Sequence, residues 1–208
     1  MYIPSYYKEN DFPTLLAFIQ AHPFGVLCSS GNGGLLATHL PFVAMEKDQH
    51  IVIHGHMAKA NPHWKDLEAG AEGLLIFQGP NGYVSPSNYE RKENVPTWNY
   101  IAVHAEGKAR IIQSREESLT LLEEMIARFE PDYAKQWHEL PAGYVDGMLA
   151  GIVAFEIEVS RLEGKFKLSQ NKTKAEKENI IRSFSEAGTA NGTKLAEEMI
   201  KRDQEHPK

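Results

Sequence analysis

A mainly β fold with peripheral helices and a helical C-terminal segment is what the 208 residues predict. Three observations lead there. Short runs of β-branched or alternating apolar residues recur as far as Val159, separated by turn residues. The helical signals between them are brief and capped. The regular alternation of strands with long crossover helices that builds a parallel sheet is missing. Many short antiparallel strands with helices inserted between them suit a closed or nearly closed barrel. No dinucleotide fingerprint or phosphate loop is present, and Gly31-Asn32-Gly33-Gly34 is too short and hairpin-like to serve as one.

The first element is a short helix, with Asp11 as N-cap, Pro13 in its first turn and Leu15, Leu16, Phe18 and Ile19 at helical spacing. Phe24–Ser29 and Leu35–Val43 read as two strands of a hairpin, in which the Asn32-Gly33 step supplies the positive φ of a tight turn. A turn over residues 46–49 leads to Ile51-Val52-Ile53-His54, dense in β-branched residues. Asn61-Pro62 then opens a helix of about two turns toward Leu67, with Gly70 ending it. Leu74–Gln78 is a short strand that Gly79-Pro80-Asn81-Gly82 turns toward Tyr83, giving another hairpin.

The longest strand candidate is Thr97–Ile112, with Trp98, Tyr100, Ala102 and His104 on one face, Asn99, Ile101 and Val103 on the other, and Gly107 marking a bulge. Ser114 and Glu117 have the spacing of a capping box for a helix whose stripe is Leu119, Leu122, Met125, Ile126 and Phe129. Ile152–Val159 is the last strong strand. From Lys174 onward the chain is charged and helical, interrupted by Gly188 and Gly192, with stripes of Ile180, Ile181, Phe184 and of Leu195, Met199, Ile200.

Length allows one sizeable domain rather than two. A net charge of −6 weighs against a general nucleic-acid surface, which needs clustered Lys and Arg. Cys28, the single cysteine, lies in an apolar run and has no partner for an intramolecular disulfide. The N-terminus lacks a signal-peptide pattern, and no run approaches the roughly twenty apolar residues of a membrane span. These features predict a cytoplasmic location.

His54 and His56 lie two apart on a strand, so their rings share a face, with His39 on a neighbouring strand. The acidic or thiolate partner that would complete a zinc set is not evident, so no metal is expected and a hydrogen-bonding role is preferred. Lys59 follows a strand and precedes a helix start, which leaves two readings: an anion site, or a solvated lysine on a turn. Asn99 between Trp98 and Tyr100, with His104 beyond, puts polar groups where a ligand edge could meet them. Lys165, Lys167, Ser169, Gln170 and Asn171 make a polar, cation-bearing stretch after Gly164, which reads as a turn. No nucleophile elbow or paired catalytic carboxylates are found.

Six separated motifs carry a resemblance over nearly the whole chain: Met1-Tyr2-Ile3-Pro4, Thr38-His39-Leu40-Pro41-Phe42, residues 55–64, Tyr83-Val84-Ser85-Pro86-Ser87, residues 95–100, and Lys167-Leu168-Ser169-Gln170-Asn171. Together they resemble the PaiB-type family of FMN-binding negative transcriptional regulators. That resemblance implies an FMN-binding split β-barrel, akin to pyridoxamine-phosphate oxidases, over residues 1–172, with a helical segment over 173–208 packed on the barrel or the dimer partner. It implies a homodimer with FMN at the interface. Thr38, His39, Leu40 and Pro41 would run beside the isoalloxazine ring, with Lys59 and His56 near the phosphate. Trp98, Asn99, Lys167, Ser169, Gln170 and Asn171 would complete the pocket. DNA binding follows from the resemblance only, since neither charge nor a recognition helix supports it. Two other classes share such a fold: an FMN-dependent oxidoreductase, and a haem-binding or haem-degrading protein with a histidine ligand.

Overall fold

The computed structural model describes residues 1–31 and 34–205. A 3₁₀ turn at Ser5–Tyr7 precedes β1 (Lys8–Glu9), α1 (Phe12–Ala21), β2 (Phe24–Gly31), β3 (Gly34–Pro41), β4 (Val43–Lys47) and β5 (His50–Ala58). Then come α2 (His63–Glu68), β6 (Glu72–Val84), β7 (Thr97–Ile112), α3 (Arg115–Phe129), α4 (Ala134–Glu139), α5 (Ala142–Ala150), β8 (Ile152–Lys167), α6 (Lys174–Glu186) and α7 (Ala190–Glu205). The strands form one sheet in the order β3-β2-β6-β7-β8-β5-β4, with β1 pairing β8. Every described register is antiparallel. The mainly β composition with surrounding helices is the one expected.

Two compact units share the chain. The first comprises Phe12–Phe77 and His104–Leu162, the second Met1–Asp11, Gln78–Val103 and Glu163–Lys208.

In the first unit, β2 and β3 pair from Phe24↔Pro41 to Gly31↔Gly34, so the hairpin is as expected. The Asn32-Gly33 step credited with its turn lies outside the described residues. The single strand expected over Leu35–Val43 is broken at Phe42, whose N–H donates to O of Pro23, the residue opposite it in the β2–β3 register, at 2.9 Å. Pro23 has no N–H to return that bond, so the pairing ends there, and the Phe42 ring meets Phe77 and Phe155 edge-on, at centroid distances of 5.7 and 6.5 Å. Gly55 makes room for them, because a Cβ there would stand 2.9 Å from Phe155 and 3.0 Å from Phe42.

Helix α3 lies on this unit's sheet through Leu121 and Met125, against Val43, Ile112 and Ala154. The stripe read from sequence is therefore rotated: Phe129 is exposed and Leu121 takes the buried position. Ser114 caps α3 by accepting from Glu117 N. The Glu117 carboxylate bonds Arg110 instead. Helices α4 and α5 have no apolar signal strong enough to have been predicted.

In the second unit, the hairpin expected at residues 79–82 does not form, because β6 continues through them to Val84. Tertiary packing overrides the turn signal: a Cβ at Gly82 would lie 2.8 Å from both Leu195 and Phe184, so the glycine admits these side chains from α7 and α6. Gly164 is likewise no turn, since it sits in β8 paired with Glu9. Gly188, at φ 63°, separates α6 from α7 as expected. Gly192 instead lies inside α7, close against Phe184 O. Ile180, Phe184, Leu195 and Met199 are buried, as the helical stripes predict, while Ile200 is exposed. Thr173 and Glu176 form a complete capping box at the start of α6.

Candidate functional site

The predicted site residues divide between the two units. In the first, Thr38, His39, Leu40 and Pro41 stand on β3, an outermost strand whose second edge carries no strand among the described residues. None of its side chains is buried. His39 is exposed and stacks on Phe24 at 6.3 Å.

Behind β3 lies a polar cluster. Thr38 Oγ1 is 2.8 Å from His63 Nδ1, and Ser29 Oγ is 2.8 Å from His63 Nε2. Asn61 Nδ2 donates to Thr38 Oγ1 at 3.2 Å, and Asn61 Oδ1 accepts from the His63 N–H at 3.0 Å. His63 is only 1% exposed. Burial holds its imidazole below the ordinary histidine value, against an upward pull from Asp66. Sequence reasoning missed His63 and Ser29 as a pair. The available signal was Ser29, a hydroxyl in phase with Leu27 on the buried face of β2, where a polar group requires a partner.

Lys59 is exposed just past the end of β5, and its ammonium forms no ion pair among the described residues. Its backbone is fixed on both sides, with its N–H donating to Gly151 O at 2.8 Å and its carbonyl accepting from Trp64 Nε1 at 3.0 Å. The following helix adds little to anion binding, because α2 has six residues and its first amide is already capped by Asn61. A cavity of about 520 Å³ opens beside the lysine, lined by Lys59, Trp64 and Arg115 together with Ile112, Leu149 and Ile152. Arg115, not foreseen from sequence, is braced by Asp146 at 2.7 Å.

His56 and His54 turn toward α3. His56 Nδ1 meets Met125 Sδ at 3.3 Å, and burial pushes its pKa down. His54 Nδ1 contacts Glu124 at 2.6 Å. No group of three or more metal-ligating side chains occurs among the described residues.

In the second unit the predicted residues are engaged with one another. Asn99, fully buried, accepts from Ser169 Oγ at 3.0 Å, and Ser169 sits at φ 63°. Gln170 closes a loop on Leu168 N and Phe166 O. Asn171 accepts from Tyr7 OH at 3.3 Å. Lys167 donates to Thr97 Oγ1 and to Trp98 O, and burial, with Lys165 nearby, lowers its pKa. Trp98, 53% exposed and edge-on to Tyr83, and Asn171 face outward, and Lys165 is half-buried with its ammonium over Tyr2 and Tyr100.

A phosphorylated flavin needs a cation, a hydrogen-bonding edge and apolar walls. The first unit supplies a lysine with no ion pair among the described residues, a strand edge with a fixed hydroxyl, and a cavity inside the roughly 300–1,000 Å³ range of small-molecule sites. These residues fit the group.

A family profile described as "Putative FMN-binding domain" matches residues 1–161. The chain is 39% identical over 201 residues to the Protease synthase and sporulation protein PAI 2 of Bacillus subtilis, covering 96% of each. Among solved structures it resembles the flavocytochrome Anf3 of Azotobacter vinelandii, with a TM-score of 0.60 and 18% identity over 79% of this chain and 72% of that one. It also resembles the FAD and heme binding protein of Mycobacterium smegmatis, with a TM-score of 0.59 and 14% identity over 77% and 73%. At these identities the structural likeness establishes the split-barrel fold.

Proposed function

The chain belongs to this FMN-binding family and its cofactor is FMN; from that premise we propose that it is a homodimeric, cytoplasmic flavoprotein that regulates transcription in the manner of PaiB-type proteins. The observation that carries this reading is the open edge of β3 in the first unit, where Thr38 accepts from Asn61, two residues after a Lys59 that forms no ion pair among the described residues. In it, residues 38–41 run along the ring, Lys59 takes the phosphate, and Trp98, Asn99 and residues 167–171 of a second subunit complete the enclosure. The flavin supplies reversible electron and hydride chemistry when bound.

The chain's own residues bind and orient it. Thr38 presents a hydroxyl braced from behind, Lys59 offers a point charge, and Asn99 with Ser169 holds the turn after β8 in its left-handed conformation. Exposure of Leu35 at 86% and Phe24 at 66% supports coverage of this hairpin by a second copy. Residues 1–172 act as the flavin domain and 173–208 as a helical segment. A net charge of −6 favours regulation through a partner or a small-molecule signal over direct operator binding. No helix among the described residues is long and apolar enough to cross a membrane.

The test is FMN titration of wild type, Lys59→Ala, Trp98→Ala and the surface control Glu123→Gln, with solution mass measured alongside. Lys59→Ala weakens FMN by about tenfold, the scale of a charge-assisted hydrogen bond, and leaves riboflavin unaffected. Trp98→Ala weakens both flavins, and Glu123→Gln neither. Equal FMN affinity in all four proteins, or a monomer with flavin bound, refutes the reading.

A further inference from the structure

Arg115 opens α3 on the wall of the cavity that Lys59 also lines. Its ion pair with Asp146 adds little to stability, because the two side chains are 47% and 52% exposed and water screens a pair so open. What the pair fixes is direction. Asp146 Oδ1 stands 2.7 Å from both Nε and Nη2, which takes up one side of the planar guanidinium. Nη1 has no partner among the described residues, so the opposite side keeps its N–H donors for a ligand.

Charge points the same way. A phosphomonoester carries about −1.5 to −2 near neutral pH and presents three acceptor oxygens. The Lys59 ammonium is a single point charge and leaves about half of that unanswered. Arg115 is the second cation among the described residues that line the cavity, and Asp146 is their one carboxylate. Glu116 and Glu117, next along α3, are turned to Ser114 and Arg110 instead. Leu149, Ile152 and Trp64 keep water from part of the wall, and a drier setting strengthens each ionic contact.

Resting on the reading that Lys59 takes the flavin phosphate, we propose that Arg115 is a second ligand of that phosphate, bonding two of its oxygens through Nη1 and Nη2 while Asp146 holds the guanidinium from the other side. A planar fork matches two phosphate oxygens at once, which a lysine cannot do. The phosphate then joins the end of β5 to the start of α3. With both cations engaged, the cavity selects FMN over riboflavin through the phosphate and not through the ring.

FMN and riboflavin titrations of the full-length protein test this, with Arg115→Met set beside Lys59→Ala. Arg115→Met weakens FMN about tenfold, the scale of a charge-assisted hydrogen bond, and leaves riboflavin unchanged. That variant also bares the Asp146 carboxylate, which by itself repels a phosphate. Arg115→Met combined with Asp146→Asn removes both charges of a neutral pair, so the FMN loss persists there when the guanidinium touches the phosphate. Recovery of FMN affinity to the wild-type value in that double variant overturns the proposal. So does an Arg115→Met that leaves FMN unchanged, or weakens both flavins equally, while Lys59→Ala weakens FMN alone; the flavin placement then stands. If neither Lys59→Ala nor Arg115→Met changes FMN affinity, or wild type takes up no FMN, both fall.

Discussion

Glu9 and Arg202 make a buried ion pair in the second unit, and removing the arginine strands a carboxylate. Glu9 is 7% exposed, accepts from the N–H groups of Asn10 and Asp11 at 2.8 Å each, and bonds the Arg202 guanidinium, which also lies 5.5 Å from the Phe166 ring. Breaking a buried pair by deleting one partner costs about 3–5 kcal/mol. Two backbone donors remain to Glu9, so Arg202→Met, which keeps the aliphatic reach over Phe166, belongs at the low end, about 3 kcal/mol. For a chain of this length that lowers the thermal midpoint by about 6–12 °C.

The pH dependence identifies the cause. Burial alone would raise the Glu9 pKa, but the hydrogen bond from Arg202, then those from Asp11 and Asn10, outweigh it and hold the carboxyl below its ordinary 4.5. A depressed carboxylate pKa contributes stability that is present above the ordinary value and is lost as pH falls through the folded one. In Arg202→Met the stranded carboxylate protonates more readily, so the variant's deficit is full near neutral pH and shrinks as pH drops toward about 4. Urea unfolding at several pH values, with a double-mutant cycle through Glu9→Gln, measures both quantities. A neutral-pH loss below about 1 kcal/mol, the level of an exposed pair, would refute the reasoning, as would a loss that does not change with pH.

Two further outcomes test the packing. Gly107→Ala would place a Cβ 2.1 Å from Glu158 O, forcing β7 and β8 apart, and should cost about 2–3 kcal/mol in denaturant unfolding. Ser114→Ala removes the hydroxyl that caps α3 through Glu117 N and should cost about 1 kcal/mol, with FMN affinity unchanged.

Strand identity was legible wherever the pattern was local. The alternation that put Asn99, Ile101 and Val103 on one face of β7 is the buried face of the structure. Errors came where distant residues decide the backbone. Gly79-Pro80-Asn81-Gly82 carries a turn signal, yet Phe184 and Leu195 need the glycine for close approach, and no local window contains them. Phe42 reads as one more strand residue until Pro23, which has no N–H to give, is seen to lie opposite it and end the pairing. At the site, Thr38 and Lys59 could be singled out because chemistry and position coincide within a few residues. His63 could not, since its two partners lie 34 and 25 positions away. Nor could Arg115, whose nearness to Lys59 depends on where α3 starts after a 16-residue strand.

The two faces of β3 differ only in degree, with Leu36, Thr38 and Leu40 half-buried and Leu35, Ala37 and His39 exposed, so its oil-and-water restraint on alignment with β2 is weak. A slip of one position would turn Leu36 and Leu40 outward and forfeit part of their burial. Two further restraints hold Thr38 opposite Leu27: the closing pair Gly31↔Gly34, and the clasp of Thr38 by His63 and Asn61. After a slip, Ala37 or His39 would stand where that hydroxyl belongs. The same imidazole that steadies one hydroxyl thus acts as a peg that tells a loosely held ribbon where to stop.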